Sequence, residues 1–156
     1  MSDDDSTTSA AILELLAPGQ GGFNDALGIR FTHASPDEVR AELALRPEHL
    51  QVYGIVHGGV YASLVETLCS VGAAISAGAR GHSVVGLENH TSFLRAARGG
   101  LLQARAVPLT RGRRTQVWET TITDEAGKVA ARGTVRLLVL EPGSELAGES
   151  VARTGD

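Results

Sequence analysis

The sequence predicts an α+β domain in which one long apolar helix is wrapped by a five- or six-stranded antiparallel sheet. Three observations lead there. The run from Val60 to Ala77 carries a single charge, Glu66, and is apolar on nearly every side, the composition of a buried helix. Two alternating segments precede it and four follow it. The four are separated by glycine-containing, polar stretches of hairpin length, and short connections make antiparallel neighbours. A sheet of that size around one apolar helix buries the apolar faces of both.

In chain order, residues 1–9 read as an acidic disordered tail. Ala10 to Ala17 predicts a short helix with Ser9 as N-cap, ended by Pro18-Gly19-Gln20-Gly21-Gly22. That glycine cluster is a connector, because Asn24 stands where a dinucleotide loop needs its third glycine and no strand precedes it. Phe23 to Gly28 predicts a helical turn. Ile29–Ala34 and Glu38–Leu45 alternate with period two around the turn residues Ser35-Pro36-Asp37, which predicts a hairpin. After the long helix, Gly78-Ala79-Arg80-Gly81 breaks the chain. Strands are then predicted over Ser83–Leu94, Gly100–Leu109, Gln116–Thr123 and Val129–Leu140. Residues 10–140 form one domain on this reading, and 141–156 a polar tail.

The totals narrow the function classes. The chain has 156 residues, 42% of them apolar, and a net charge of −4, so nucleic acid is not expected as a bulk partner. One cysteine precludes an internal disulfide and suits a reducing compartment. The acidic start is unlike a signal peptide, and Glu66, Thr67, Ser63, Ser70, Ser76 and Gly72 spoil the long helix as a membrane span, so a cytoplasmic protein is expected. The five histidines and the cysteine show no metal-ligand spacing, and no Gly-x-Ser-x-Gly elbow or P-loop is present. Cys69 reads as a small core residue.

The chemistry centres on Glu66. Helical geometry puts Gly59, Ala62, Ser63, Cys69, Ser70, Ala73 and Ala77 on its face, all small, and Leu64, Leu68, Val71 and Ile75 opposite. The bulky side is expected on the sheet, the small side open to a ligand or a second backbone. From the residues alone Glu66 has two readings: a working carboxylate, or a buried one held by a neighbouring Ser or Thr. At the helix start, His57-Gly58-Gly59 leaves backbone N–H groups free at the positive end of the dipole, suited to polarising a carbonyl, and the Gln51 amide adds a possible donor. His57 is expected to order this loop or a dimer interface by hydrogen bonding. Gly58 and Glu66 are about 12 Å apart along the axis. Both cannot easily reach one carbonyl from one helix. Two antiparallel copies related by a two-fold axis place Gly58 of one opposite Glu66 of the other, so the spacing predicts a site shared across a homodimer.

At Gly54-x-x-His57-Gly58-Gly59, at Glu66 nine residues after His57, and at Asn89-His90-Thr91-Ser92-Phe93, the chain resembles the hotdog-fold acyl-CoA thioesterases of the phenylacetate-degradation type. Within them it is most similar to the glutamate-using branch of 4-hydroxybenzoyl-CoA thioesterase. Gly112 and the turn Asp124-Glu125-Ala126-Gly127-Lys128 add to the resemblance, which runs from about Phe23 to Leu140. It implies hydrolysis of an aryl or medium-chain acyl-CoA, with Glu66 as nucleophile or general base, Gly58 N–H on the thioester carbonyl and Gln51 assisting. It implies substrate contacts at His57, Gly59, Ser70, Asn89 and His90, no cofactor beyond the coenzyme A of the substrate, and dimers often paired again into homotetramers. The family commonly has proline after the Phe93 strand, where this chain has Arg95-Ala96-Ala97. Coenzyme A carries phosphates, for which Arg95, Arg111, Arg113 and Arg114 are candidates; solvated hairpin turns are the competing reading. Two other classes compete: a non-catalytic acyl-CoA-binding protein, and a hotdog dehydratase or hydratase, whose usual Asn-Pro-x-His segment is missing here.

Overall fold

A computed structural model describes residues 10–19 and 21–150. The acidic stretch 1–9, the proposed Ser9 cap and residues 151–156 lie outside the described residues. Helix α1 covers residues 10–15, α2 Phe23–Leu27 and α3 Gly58–Gly78. The strands are β1 Arg30–Ala34, β2 Val39–Ala44, β3 Ser83–Phe93, β4 Leu101–Arg111, β5 Thr115–Thr123 and β6 Val129–Leu140. They form one six-stranded sheet in the order β1-β2-β4-β5-β6-β3, with every pairing antiparallel. Residues expected as a plain polar tail contain a further small hairpin, β7 Glu145–Leu146 with β8 Glu149–Ser150, turned by Ala147 and Gly148 at positive φ.

The alternation of the strands accounts for their burial. In β5, Gln116, Trp118, Thr120 and Ile122 are buried and the residues between them are not. The other side of the sheet carries ion pairs: Arg30 with Glu42, Glu119 with Arg132 and Glu88 with Arg136 join neighbouring strands, and Glu38 pairs both with Arg40 two residues on and with Arg105 of β4. Burial pushes the Glu38 carboxyl up, but the two guanidiniums outweigh it and hold it below its ordinary value.

The helix lies in the hollow of the sheet, as expected, but its faces divide differently. Leu64 and Leu68 are fully buried, yet so are Cys69, Ala73 and Ala77, which helical geometry put on the open side. Val71 and Ile75, expected on the sheet, are only half-buried. The reason is the tight packing of α3 along the Gly72 line. A Cβ at Gly72 would lie 2.4 Å from the Trp118 ring, so the indole seats directly on the helix backbone. Its Nε1 donates to Gln116 Oε1 at 2.8 Å. Small side chains beside Gly72 therefore allow close approach to the sheet, and the open face narrows to the strip Ala62, Ser63, Glu66, Thr67 and Ser70. Cys69 is a core residue as expected; its Sγ contacts Thr120 Oγ1 at 3.2 Å, and burial pushes the thiol up to about 12.

Candidate active site

Glu66 is half-buried on that strip, facing β3. Ser70 Oγ, one turn on, donates to Oε1 at 3.3 Å, and Asn89 Nδ2 donates to Oε2 at 2.9 Å. The Asn89 amide is oriented in turn: Nδ2 also donates to Ala62 O at 3.1 Å, and Thr91 Oγ1 donates to Oδ1 at 2.7 Å. None of the ion pairs among the described residues involves Glu66. The carboxylate is thus held by two neutral donors, with acceptor capacity left over.

Strand β3 reaches both carboxylate oxygens through an irregularity. Its pairing with β6 shifts register between Gly86 and Glu88. Before the shift, Val84 packs on the core and Gly86 abuts Glu66. Beyond it, Asn89 and Thr91 serve the site and Phe93 meets the helix start. The inward positions pass from even to odd because a bulged residue, Leu87, resets the alternation. A Cβ at Gly86 would stand 2.7 Å from Glu66 Oε1, so the missing side chain makes room for the carboxylate. Glu66, Asn89 and Thr91 line an open cleft of about 560 Å³ with Gly59, Ala62, Ser63, Thr67, Phe23 and Phe93.

The helix start faces a second cleft of about 360 Å³, lined by Gln51, Ile55, Val56, Gly58, Tyr61 and Phe93 to Ala96. The loop before it is anchored by buried His49, whose Nδ1 accepts from Arg46 N at 3.1 Å and whose carbonyl accepts from His57 N at 2.9 Å. His57 is the N-cap: its Nδ1 accepts from Gly59 N at 2.9 Å and its carbonyl from Val60 N. The Gly58 N–H donates to no group among the described residues. Gln51 Oε1 accepts from Tyr53 N, which turns its amide NH₂ toward other partners.

The predicted residues therefore fall into two groups. Glu66, Ser70 and Asn89 meet, with Gly59 at the rim of the same cleft; Gln51, Gly58 and Arg95 meet in the other. His90 is exposed and lines neither cleft. Arg111 contacts Asp37 at 2.8 Å and Pro36 O at 3.0 Å. Arg113 and Arg114 stand apart with Arg80 and His82 around a depression of about 270 Å³. Sequence reasoning missed Asn89 as the carboxylate's own donor, Thr91 behind it and Phe93 between the clefts. A glycine inside a strand pattern was the available signal for the bulge.

Comparison with known proteins gives the family and the fold. Residues 53–131 match the thioesterase superfamily. The 1,4-dihydroxy-2-naphthoyl-CoA hydrolase of Escherichia coli K12 is 32% identical over 126 residues, 81% of this chain and 92% of that protein. The proofreading thioesterase EntH of Cronobacter turicensis is 35% identical over 114 residues, 73% of this chain and 82% of that protein. Among solved structures, Rv1847 of Mycobacterium tuberculosis superposes with a TM-score of 0.75 at 47% identity, over 76% of this chain and 96% of that one. Thioesterase HI1161 of Haemophilus influenzae gives 0.73 at 31%, over 78% and 85%. The fold is the hotdog fold, and the chain belongs to the thioesterase superfamily, a family of enzymes that hydrolyse thioesters.

Proposed function

We propose that the chain hydrolyses acyl-CoA thioesters to a carboxylic acid and coenzyme A, with Glu66 as nucleophile or general base. The observation that carries this is the carboxylate pinned by Ser70 and Asn89 at the wall of an open cleft, with no cation quenching it among the described residues. The Gly58 N–H, unpaired at the positive end of a 21-residue helix, takes the thioester carbonyl oxygen and stabilises the oxyanion that develops there, with the Gln51 amide alongside. The acyl group is aryl or medium-chain, and the relative named as a 1,4-dihydroxy-2-naphthoyl-CoA hydrolase favours the aryl class.

Each working site combines two copies of the chain. In one copy Glu66 and Gly58 open into separate clefts divided by Phe93, which agrees with the spacing argument. β3 is an edge strand of the sheet and presents exposed Leu87 and Phe93, surface that a second copy would cover. Pairs of such dimers form the tetramer. Arg113 and Arg114, joined by Arg80 and His82, take the coenzyme A phosphates, with Arg95 nearer the reacting carbonyl.

A thiol-release assay over aryl, short, medium and long acyl-CoAs tests the activity. Glu66→Gln should abolish most turnover at unchanged thermal stability; full activity in Glu66→Ala would sink the mechanism. Mixing Glu66→Ala subunits with subunits carrying Gly58→Val should restore part of the activity, and verified mixed dimers without recovery would exclude a shared site.

A further inference from the structure

Among the described residues, Phe93 is the one side chain that lines both clefts, and it belongs to neither catalytic group. It is 58% exposed at the end of β3, so core packing does not explain it. Its ring lies against the helix start: a Cβ built on Gly58 would meet Phe93 Cε2 at 2.7 Å and Cζ at 2.8 Å. Tyr61, one turn into the helix, sits behind it with ring centroids 6.1 Å apart and planes tilted by 31°. The ring is therefore a partition. On one side is the cleft of Gln51, Ile55, Val56 and Gly58, apolar apart from Gln51 and Arg95; on the other is the cleft of Ala62, Ser63 and Glu66.

We propose that Phe93 limits the length of the acyl group. The assignment rests on the reading that the Gly58 N–H holds the thioester carbonyl. A carbonyl held there lies close to the Phe93 ring, because that ring packs against the Cα of Gly58 and lines the same cleft. A hydrocarbon tail leaving that carbonyl prefers the apolar cleft, where each buried methylene adds about 0.8 kcal/mol, close to a fourfold gain. The tail fills this cleft of about 360 Å³ until it has to turn back against the partition. Past that point another methylene has to displace the ring or turn back into water, and the gain per carbon stops. With the ring removed, the apolar cleft opens towards Ala62 and Ser63, whose small side chains leave the way free.

The test is the profile of kcat/KM along the saturated series from butanoyl- to hexadecanoyl-CoA, for the unsubstituted chain and for Phe93→Trp, Phe93→Leu and Phe93→Ala. The preferred length should rise in the order Trp, Phe, Leu, Ala, by at least about two carbons between Phe and Ala, with about fourfold gained per newly accommodated methylene. Light scattering confirms that each variant keeps its assembly. If Phe93→Ala fails to assemble, the order of Trp, Phe and Leu decides. A profile of unchanged shape, whether or not the rates all fall together, overturns the proposal, because a purely structural residue would scale every length alike. Calorimetric affinities for the corresponding non-hydrolysable acyl-CoA thioethers should follow the same order. If the unsubstituted chain cleaves none of the esters, the proposed activity fails; the thioether affinities then still decide whether Phe93 sets length.

Discussion

Replacing Gly86 by alanine separates the working of Glu66 from the stability of the fold. Gly86 is not among the positive-φ glycines, so alanine adds no left-handed backbone strain there. Removing a glycine from a strand interior stabilises by roughly 0.5–1 kcal/mol. The added methyl group would lie 2.7 Å from Glu66 Oε1 and 3.8 Å from its Cδ. An ordinary carbon–oxygen contact needs about 0.7 Å more. The carboxylate is the free end of a flexible side chain and gives way at small cost to the fold. Oε1, however, is the oxygen held by Ser70 at 3.3 Å, already a long hydrogen bond. A shift away from β3 strains the Asn89 bond to Oε2 as well. Displacements of about 1 Å cost on the order of a hundredfold in rate when they move a reacting group. Gly86→Ala should therefore lower kcat by about 10- to 100-fold, or about 1.4–2.7 kcal/mol in the barrier, with KM nearly unchanged. Its melting temperature should stay level or rise. The assay is thiol release in parallel with a thermal melt. A kcat within twofold of the unsubstituted chain at equal stability would refute the claim that the observed position of the carboxylate is the working one.

Four further outcomes follow from the same packing. Asn89→Ala removes the Oε2 donor and should cost at least tenfold in kcat, whereas Thr91→Val, which removes only the bond that orients the Asn89 amide, should cost a few-fold; equal losses from both would place Thr91 in direct contact with substrate. Gly72→Ala should destabilise despite alanine's better helix propensity, because its methyl group would lie 2.4 Å from the fully buried Trp118; about 1–3 kcal/mol of overpacking, or roughly 2–4 °C in melting temperature per kcal/mol, is expected in a denaturation experiment. The Cys69 thiol is raised by burial from 9.0 to about 12, so the folded protein should resist iodoacetamide at pH 8 and keep its activity, and react once unfolded. Because its folded value lies above its unfolded one, the contribution of the neutral thiol to stability is complete below about pH 9 and is lost as the pH rises towards 12; Cys69→Ala should flatten that alkaline decline in a pH series of thermal melts.

Periodicity made most of the fold legible. A 21-residue apolar helix with strands alternating on either side leaves few ways to bury both, and the one charge in that helix marked the carboxylate that Ser70 and Asn89 hold. Two things were not written in any local pattern. The first is the bulge at Leu87. Counted from Ser83 by strict alternation, Gly86 and Asn89 fall on opposite faces of the strand, yet both meet Glu66, because one inserted residue changes the parity between them. The second is the division of the helix. A helical wheel sorts residues by angle and size, but which small residues are covered is decided by where Trp118 seats, and that depends on the close approach at Gly72. The arginines illustrate the same limit. Arg111, Arg113 and Arg114 are neighbours in sequence, but Arg111 contacts Asp37 and Pro36 of the first hairpin, while the other two join Arg80 and His82 from the far end of the helix.

Strand β3 carries more of the site than any other strand. It supplies the space at Gly86, the donor at Asn89, the support at Thr91 and the partition at Phe93, and it is an edge strand. An edge is a costly place for a catalytic carboxylate in a single chain, since water in an open cleft weakens every interaction meant for the transition state. On the proposed reading a second copy answers both needs. Covering the edge excludes water from the Glu66 cleft, and the covering surface brings the partner's unpaired Gly58 N–H to the carbonyl that Glu66 serves. The unpaired edge, the exposed Leu87 and Phe93 and the division of the site into two clefts then have one explanation: each chain carries half of two sites, and assembly completes both.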